Sequence, residues 1–199
     1  MTSKAIDFYF DFGSPTAYLA YTQLPKIAAD ANAVLNYKPV LLGGIFQSAQ
    51  NASPMMIPAK GAYMMQDIQR YAKRYQVPLN FNPNFPINTL KLMRLTTGVQ
   101  QHYPQLFEQF LAVVFKAFWV DAQNMGDDAV IRQVLQANQL DADAILALAD
   151  QPDVKELLKQ NTQQANARGL FGVPTMFVGD QMFWGQDRLD FVVEALQEG

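Results

Sequence analysis

Cysteine is absent from the 199 residues of the sequence, and histidine occurs once, at His102. Without cysteine the chain has no disulfide, no thiolate metal ligand and no redox couple of its own. Any thiol chemistry must therefore arrive with a bound cofactor. A single histidine excludes metal sites built from several imidazoles, and we interpret His102 as a structural or surface residue.

An excess of positive charge is also lacking, since 15 basic residues stand against 18 acidic ones and give a net charge of -3. This balance argues against nucleic-acid binding, which needs clustered Lys and Arg. The longest apolar run, residues 110–120, is interrupted by Lys116 and falls short of the ~18 residues of a membrane span. Residues 1–7 lack the apolar stretch of a secretory signal. We therefore expect no nucleic-acid partner, no membrane contact and a cytoplasmic location.

The sequence does contain a strand–helix–strand pattern at its start. Apolar and polar residues alternate over residues 6–11, which predicts a β-strand. The turn Gly13-Ser14-Pro15 follows, and its serine and proline suit the N-cap and first position of a helix that runs to about Ala31. Residues 34–40 predict a second strand. Such a βαβ unit favours a parallel strand pair with a right-handed crossover.

The middle of the chain, from Ser53 to about Arg168, is predicted to be helical, because apolar side chains recur there at helical spacing. Segment 77–86 is the exception, being too rich in Pro and Asn for regular structure. Predicted caps stand near three helix starts. The strongest apolar faces are Met64, Ile68, Tyr71, Ala72 and Tyr75, then Phe107, Phe110, Leu111, Val114 and Phe118, and the caps are Asp127, Asp141 and Asp153.

The C-terminal residues return to β-structure. Residues 175–178 and 181–184 flank a Gly179-Asp180 turn and predict a hairpin. Residues 187–196 predict a closing helix. The element order is therefore βαβ, a helical block, and ββα, which indicates an α/β fold with a large all-helical insertion.

Ser14 is the first candidate for chemistry. A catalytic serine needs a base, but nothing ties His102 to Ser14 and no Gly-x-Ser-x-Gly motif is present, which disfavours a Ser-His-Asp hydrolase. At a strand-to-helix junction, backbone N–H groups and the positive helix end favour an anion. A thiolate there would have a pKa below the ~8.5 of a free thiol, with the serine hydroxyl as a further donor. An ordinary N-cap remains the alternative interpretation.

Five segments, in order and at fitting spacing, carry a family resemblance that spans nearly the whole chain. The chain resembles the 2-hydroxychromene-2-carboxylate isomerases and the kappa-class glutathione transferases, both in the DsbA-like branch of the thioredoxin superfamily. One departure is Thr16, where aromatic residues are common in these families. The segments are residues 10–20, residues 41–46 before Asn51, residues 58–64, residues 169–175 and residues 183–189.

The resemblance implies a thioredoxin-like fold in which residues 1–52 and 169–199 form one domain and residues 53–168 an inserted helical domain. It implies a glutathione cofactor, a small aromatic substrate, a homodimer, and a cis peptide bond before Pro174. Disulfide oxidoreduction, another activity of the superfamily, conflicts with the absence of cysteine.

The resemblance also implies roles for individual residues. Ser14 would hold the glutathione sulfur as a thiolate, and the backbone of Val173 would pair with the cysteinyl part. Lysine suits a carboxylate and aspartate an ammonium group. Three of the residues that would contact glutathione also have an ordinary structural interpretation: Lys60 as a solvated surface lysine, Asn51 as a turn former and Asp187 as a helix cap. The remaining contacts with glutathione are assigned to Asn51, Lys60, Gln186 and Asp187.

The activity implied by the resemblance is isomerisation of 2-hydroxychromene-2-carboxylate-type substrates to a trans-o-hydroxybenzylidenepyruvate-type product, with the glutathione thiolate as nucleophile. Asn82, Asn84 and Asn88 are candidates for binding the substrate carboxylate. Two alternatives stay open: a kappa-like glutathione transferase acting on aromatic electrophiles, and a glutathione-binding module without turnover.

Overall fold

Four strands form a mixed sheet in the computed structural model, which describes residues 4–198. The two central strands are β1 and β3, and the order across the sheet is β2-β1-β3-β4. The strands are β1 Ala5–Phe10, β2 Val34–Pro39, β3 Thr175–Val178 and β4 Gln181–Trp184.

The strand pairing confirms the predicted βαβ unit and C-terminal hairpin. β1 pairs in parallel with β2, and Tyr9 lies opposite Lys38. On its other side β1 pairs antiparallel with β3, where Tyr9 lies opposite Thr175. β3 and β4 form the antiparallel hairpin. The C-terminal end of β1 therefore lies beside the start of β3, which brings together residues from both ends of the chain.

Nine α-helices surround this sheet within the described residues. Short 3₁₀ turns precede or follow several of them, over residues 54–56, 104–106, 148–150 and 186–188. The helices are α1 Pro15–Asp30, α2 Leu42–Ser48, α3 Pro58–Tyr75, α4 Leu90–His102, α5 Phe107–Trp119, α6 Asp128–Ala137, α7 Ala142–Ala147, α8 Pro152–Ala167 and α9 Leu189–Glu198.

Helix α2 lies outside the sequence-based predictions, whereas α4 lies inside the predicted helical block of residues 53–168 but was not assigned there as a separate helix. Both are rich in weak helix formers: α2 contains Gly43-Gly44, and α4 contains Thr96-Thr97-Gly98. Burial explains α4, because a Cβ on Gly98 would lie 2.8 Å from the Cβ of Leu148, so the glycine allows close helix packing. Tertiary contacts thus override local propensity here.

The predicted helix starts are partly correct. Asp127 and Asp141 cap α6 and α7 through their side chains, as predicted. Asp153 is not a cap: α8 begins at Pro152 after Gln151. The closing helix begins at Leu189 rather than Asp187, after a 3₁₀ turn.

One apolar core joins the sheet to the helices between residues 53 and 168. Phe10 and Phe12 from the end of β1 pack against Phe115 of α5, with ring centroids 5.8 and 4.6 Å apart. The division into one domain of residues 1–52 and 169–199 and an inserted domain of residues 53–168 stays a prediction. Residues 1–3 and 199 lie outside the part of the chain that the structure describes. None of the helices in residues 4–198 has the length and apolar character needed to cross a membrane.

Candidate active site

Ser14 lies at the junction of β1 and α1, as predicted. It is the N-cap of α1, where Pro15 is the first helical residue. Its Oγ accepts a hydrogen bond from the N–H of Ala17 at 3.1 Å, and the residue is only 6% exposed. The helix start thus satisfies one of its free N–H groups with the serine and holds the hydroxyl in a defined position.

The Asp11 carboxyl fixes the turn before Ser14 through hydrogen bonds, a role that the sequence analysis missed. Its Oδ1 accepts from the N–H of Gly13 at 2.9 Å and its Oδ2 from the N–H of Leu42 at 2.8 Å. Burial raises the pKa of Asp11, while hydrogen bonds from Gly13, Leu42 and Thr89 lower it. The carboxyl therefore ties the Ser14 turn to the start of α2. The Asp11 side chain is fully buried.

A second anchor comes from the helical block. The indole Nε1 of Trp119, at the end of α5, donates to the carbonyl of Phe12 at 2.8 Å. A Cβ on Gly13 would lie 3.3 Å from Cγ2 of Thr89 and 3.4 Å from Oδ1 of Asp11. The turn before Ser14 is therefore closely packed on both sides.

Segment 171–174 forms the wall opposite Ser14. The Val173–Pro174 peptide bond is cis, which confirms the prediction. Each carbonyl of the segment has a donor: Asn51 Nδ2 for Phe171 at 2.8 Å, Thr175 Oγ1 for Gly172 at 2.8 Å, Ser14 Oγ for Val173 at 3.1 Å, and Gly185 N for Pro174 at 3.0 Å. Within residues 4–198, the N–H of Val173 has no acceptor.

Ser14 and Val173 border a cleft of about 190 Å³ that carries no charged side chain in its lining. Met55, Met64, Phe81 and Phe85 supply apolar walls, with Trp184 from β4. Its hydrogen-bonding capacity comes from hydroxyls, an asparagine amide and backbone groups.

A larger pocket of about 750 Å³ adjoins this cleft, and both share Gly13, Phe46, Phe81 and Phe85 in their linings. The Pro/Asn-rich segment supplies Phe81 and Phe85, as an irregular loop folded over the Ser14 turn. The larger pocket ends at residues 86–90. The two spaces together form one aromatic-walled recess.

The structure brings three of the six predicted site residues to the cleft: Ser14, Asn51 and Val173. Asn51 spans from its own turn to the opposite wall, because it also accepts from the N–H of Ala52 at 2.8 Å while it donates to Phe171. Its turn-forming and bridging roles are therefore both present.

Lys60, Gln186 and Asp187 lie outside the cleft lining. Lys60 is exposed in the first turn of α3. Gln186 is buried, and its carbonyl accepts from the hydroxyl of Tyr75, whose pKa is raised by burial to about 12. Asp187 forms an ion pair with its neighbour Arg188 and does not cap α9. Residues 186–187 follow Gly185, which is hydrogen-bonded to Pro174.

Of the three asparagines considered for the substrate carboxylate, only Asn88 lines the recess. The structure contradicts this role for Asn82, whose buried amide donates to the carbonyls of Phe118 at 3.0 Å and Gln123 at 2.7 Å. Asn84 donates to Asn82. Asn82 therefore has a structural role, which shapes the loop that carries Phe81 and Phe85.

Known proteins share this architecture. The model of the DSBA-like thioredoxin domain matches residues 5–197. A 2-hydroxychromene-2-carboxylate isomerase of Sphingobium xenophagum is 35% identical over 98% of both chains. Human glutathione S-transferase kappa 1 is 26% identical and covers 98% of this chain and 92% of its own. The solved structure of a 2-hydroxychromene-2-carboxylate isomerase superposes with a TM-score of 0.85 at 30% identity, covering 98% and 95%.

Proposed function

The chain belongs to the DSBA-like thioredoxin family, within the isomerase branch of 2-hydroxychromene-2-carboxylate isomerases, and from this premise we propose that it isomerises 2-hydroxychromene-2-carboxylate-type substrates with bound glutathione as cofactor. The observation that carries the proposal is the meeting of the Ser14 hydroxyl and the Val173 backbone at a cleft without a charged side chain in its lining. The chain supplies no thiol itself, so the nucleophile would be the glutathione sulfur.

The donor set of the cleft fits glutathione, which is a short peptide with a thiol in its middle. The unpaired N–H of Val173 suits a peptide carbonyl, and the neighbouring Val173 carbonyl suits a peptide N–H. When bound, glutathione would supply a thiolate. Ser14 lies where this anion would gain most, because the hydroxyl and the N-terminus of α1 both stabilise negative charge.

The ends of glutathione would extend beyond the cleft. Asn51 stands at its rim, and the exposed Lys60 is free to meet a carboxylate. Gln186 and Asp187 follow directly from Gly185, which is bonded to Pro174, and would meet the γ-glutamyl end. In this arrangement the Asp187 carboxylate would contact the ammonium group of glutathione, either in place of Arg188 or together with it.

The adjoining larger pocket would bind the aromatic substrate. Phe46, Phe81 and Phe85 offer ring faces and exclude water, and Asn88 supplies an amide at the far wall. Gly13 belongs to both spaces, so a ring in the larger pocket would lie next to the sulfur held at Ser14. Proximity of this kind converts an encounter between two molecules into a reaction within one complex.

Transfer of glutathione to aromatic electrophiles is the second candidate, supported by the kappa glutathione transferases among the relatives. It would use the same Ser14 cleft and differ in what the larger pocket accepts. A glutathione-binding module without turnover is the third.

One experiment separates the three. The purified protein is given 2-hydroxychromene-2-carboxylate with and without glutathione, and in parallel 1-chloro-2,4-dinitrobenzene. Glutathione-dependent conversion of the chromene that is lost in Ser14→Ala supports the isomerase. Conjugation alone supports the transferase, and glutathione binding without either reaction supports the module. The matched control is Asp127→Ala, which removes an N-cap on α6 outside both linings and should keep full activity. Full isomerase activity in Ser14→Ala would remove Ser14 from the mechanism.

The proposal includes the homodimer implied by the family resemblance and the cytoplasmic location expected from the sequence. Sedimentation of the purified protein tests the first, and fractionation of the producing cells tests the second. A monomer, or recovery outside the cytoplasmic fraction, would contradict the respective expectation.

A further inference from the structure

Two hydroxyl groups and one carbonyl form a chain beside the cleft. Ser14 Oγ lies 2.9 Å from Thr16 Oγ1 and 3.1 Å from the carbonyl oxygen of Val173, and it also accepts from the N–H of Ala17 at 3.1 Å. A serine hydroxyl has one proton to donate and two lone pairs to accept with. Val173 O can only accept, so the arrangement that satisfies every group has Thr16 donating to Ser14 and Ser14 donating to Val173.

In this arrangement both lone pairs of Ser14 are occupied, one by Ala17 and one by Thr16. The Ser14 hydroxyl can then meet a further group only as a donor, by turning its single proton from the Val173 carbonyl to that group. A neutral thiol finds no acceptor for its S–H in such a hydroxyl and offers only a weakly accepting sulfur, whereas a thiolate accepts a strong, charge-assisted hydrogen bond. Donors to an oxygen also strengthen that oxygen's own O–H as a donor.

We propose that Thr16 is a positioning residue that makes Ser14 an obligate hydrogen-bond donor and so selects the thiolate form of bound glutathione over the thiol. The inference rests on the proposed function, because it concerns the same cofactor and the same serine. It also gives a chemical use to the one position in the Ser-Pro segment where this chain departs from the aromatic residues common in the families it resembles.

Among the described residues, only neutral groups line the cleft where the thiolate would be stabilised. No Lys, Arg, His, Asp or Glu lines the Ser14 cleft among residues 4–198. The charged group next to the turn is Asp11, which accepts from the N–H of Gly13 and lines the adjoining pocket instead. A negative Asp11 would oppose a nearby thiolate. Hydroxyls and backbone N–H groups must therefore supply the stabilisation, which makes the direction of each hydroxyl matter.

The test measures the pKa of glutathione bound to the protein. Because the chain has no cysteine, the ultraviolet absorbance of a thiolate in the complex comes from glutathione alone, and a complex with S-methylglutathione provides the blank at each pH. Four proteins are titrated: the natural one, Thr16→Val, Thr16→Ser and Ser14→Ala. Thr16→Val keeps the shape of the side chain and removes its hydroxyl, whereas Thr16→Ser keeps the hydroxyl.

We expect Thr16→Val to raise the pKa of the bound thiol by about half a unit, Thr16→Ser to restore it, and Ser14→Ala to raise it by about one unit or more. A merely structural Thr16 would change affinity or stability without moving this pKa. Should Thr16→Val misfold, Thr16→Ala serves as the second variant with the same expectation.

Each remaining outcome has a separate meaning. If Ser14→Ala raises the pKa and the Thr16 variants leave it unchanged, the role of Thr16 is refuted while the proposed function stands. If Ser14→Ala also leaves it unchanged, or the natural protein binds no glutathione by calorimetry, the proposed function fails and the inference fails with it. A rise in Thr16→Val that Thr16→Ser does not reverse would refute the hydroxyl as the cause.

Discussion

The Ser14 hydroxyl donates a hydrogen bond to the carbonyl of Val173 at 3.1 Å, across 159 positions of the sequence. This contact joins the mouth of α1 to the cis peptide bond before Pro174 and closes the floor of the candidate active site. The N–H of the same Val173 has no acceptor among residues 4–198.

Ser14→Ala should destabilise the fold by about 1–2 kcal/mol, because α1 loses its side-chain cap. The control Asp127→Ala removes the cap of α6 and should cost about 1 kcal/mol. Urea unfolding measures both, and calorimetry measures glutathione affinity, which we expect to fall only in Ser14→Ala. Equal affinity in the two variants would argue that Ser14 is a cap and nothing more.

Asp11→Asn should change how stability depends on pH. Burial raises the pKa of Asp11 above its ordinary 3.8, so the folded state holds the proton more tightly than the unfolded state. The stabilising contribution of the protonated carboxyl is therefore fully present below pH 3.8 and is lost as the pH rises through the raised pKa. Relative to Asp11→Asn, the natural protein should lose stability as the pH rises from 3.8 through the raised pKa of Asp11.

Urea unfolding of both proteins across this range provides the measurement. The amide also misplaces a donor against the N–H of Gly13 or Leu42, but that penalty does not depend on pH. The slope of the difference is thus the diagnostic quantity, and a flat difference would contradict a raised pKa.

Gly172→Ala should disturb the cleft wall. A Cβ at this position would lie 2.8 Å from Nε1 of Trp184 and 3.5 Å from its Cε2, and a rigid indole can relieve this only by moving. We expect a loss of about 1–3 kcal/mol in stability, altered tryptophan fluorescence and weaker glutathione binding. In the control Gly43→Ala the added Cβ meets nothing within 4 Å, and helix α2 should gain about 0.5–1 kcal/mol. Unchanged fluorescence in Gly172→Ala would show that the wall tolerates the methyl group.

Lys60→Gln tests the assigned carboxylate contact. Lys60 is exposed, so its ion pair with glutathione should be weak, and affinity should fall roughly two- to five-fold. The remaining affinity should also depend less on salt. Lys73→Gln, an exposed lysine in the last turn of the same helix, is the matched control for net charge. An equal loss in both variants would indicate a general charge effect and would withdraw Lys60 from the site.

Much of the local structure could be predicted from the sequence, because it depends on neighbours within a few residues. The alternation in residues 6–11 predicts β1, the Ser14-Pro15 pair predicts the start of α1, and Asp127 and Asp141 predict two further caps. The family resemblance supplied the cis bond at Pro174. The α2 helix was missed, and α4 was predicted only as part of the helical block, because their glycine- and threonine-containing segments become helical through packing, which no local pattern encodes.

The sequence by itself determined the element order, the cap at Ser14 and the need for an outside thiol, since composition and short-range spacing suffice for these. Only the tertiary structure decided that Asp11 is buried beneath the Ser14 turn and that the Asn82 amide donates to a backbone carbonyl of α5. It also decided that the Ser14 hydroxyl contacts both Thr16 and Val173. The physical reason is that burial and hydrogen-bond partners are set by segments distant in the chain, which meet only when the sheet and the helices pack around one core.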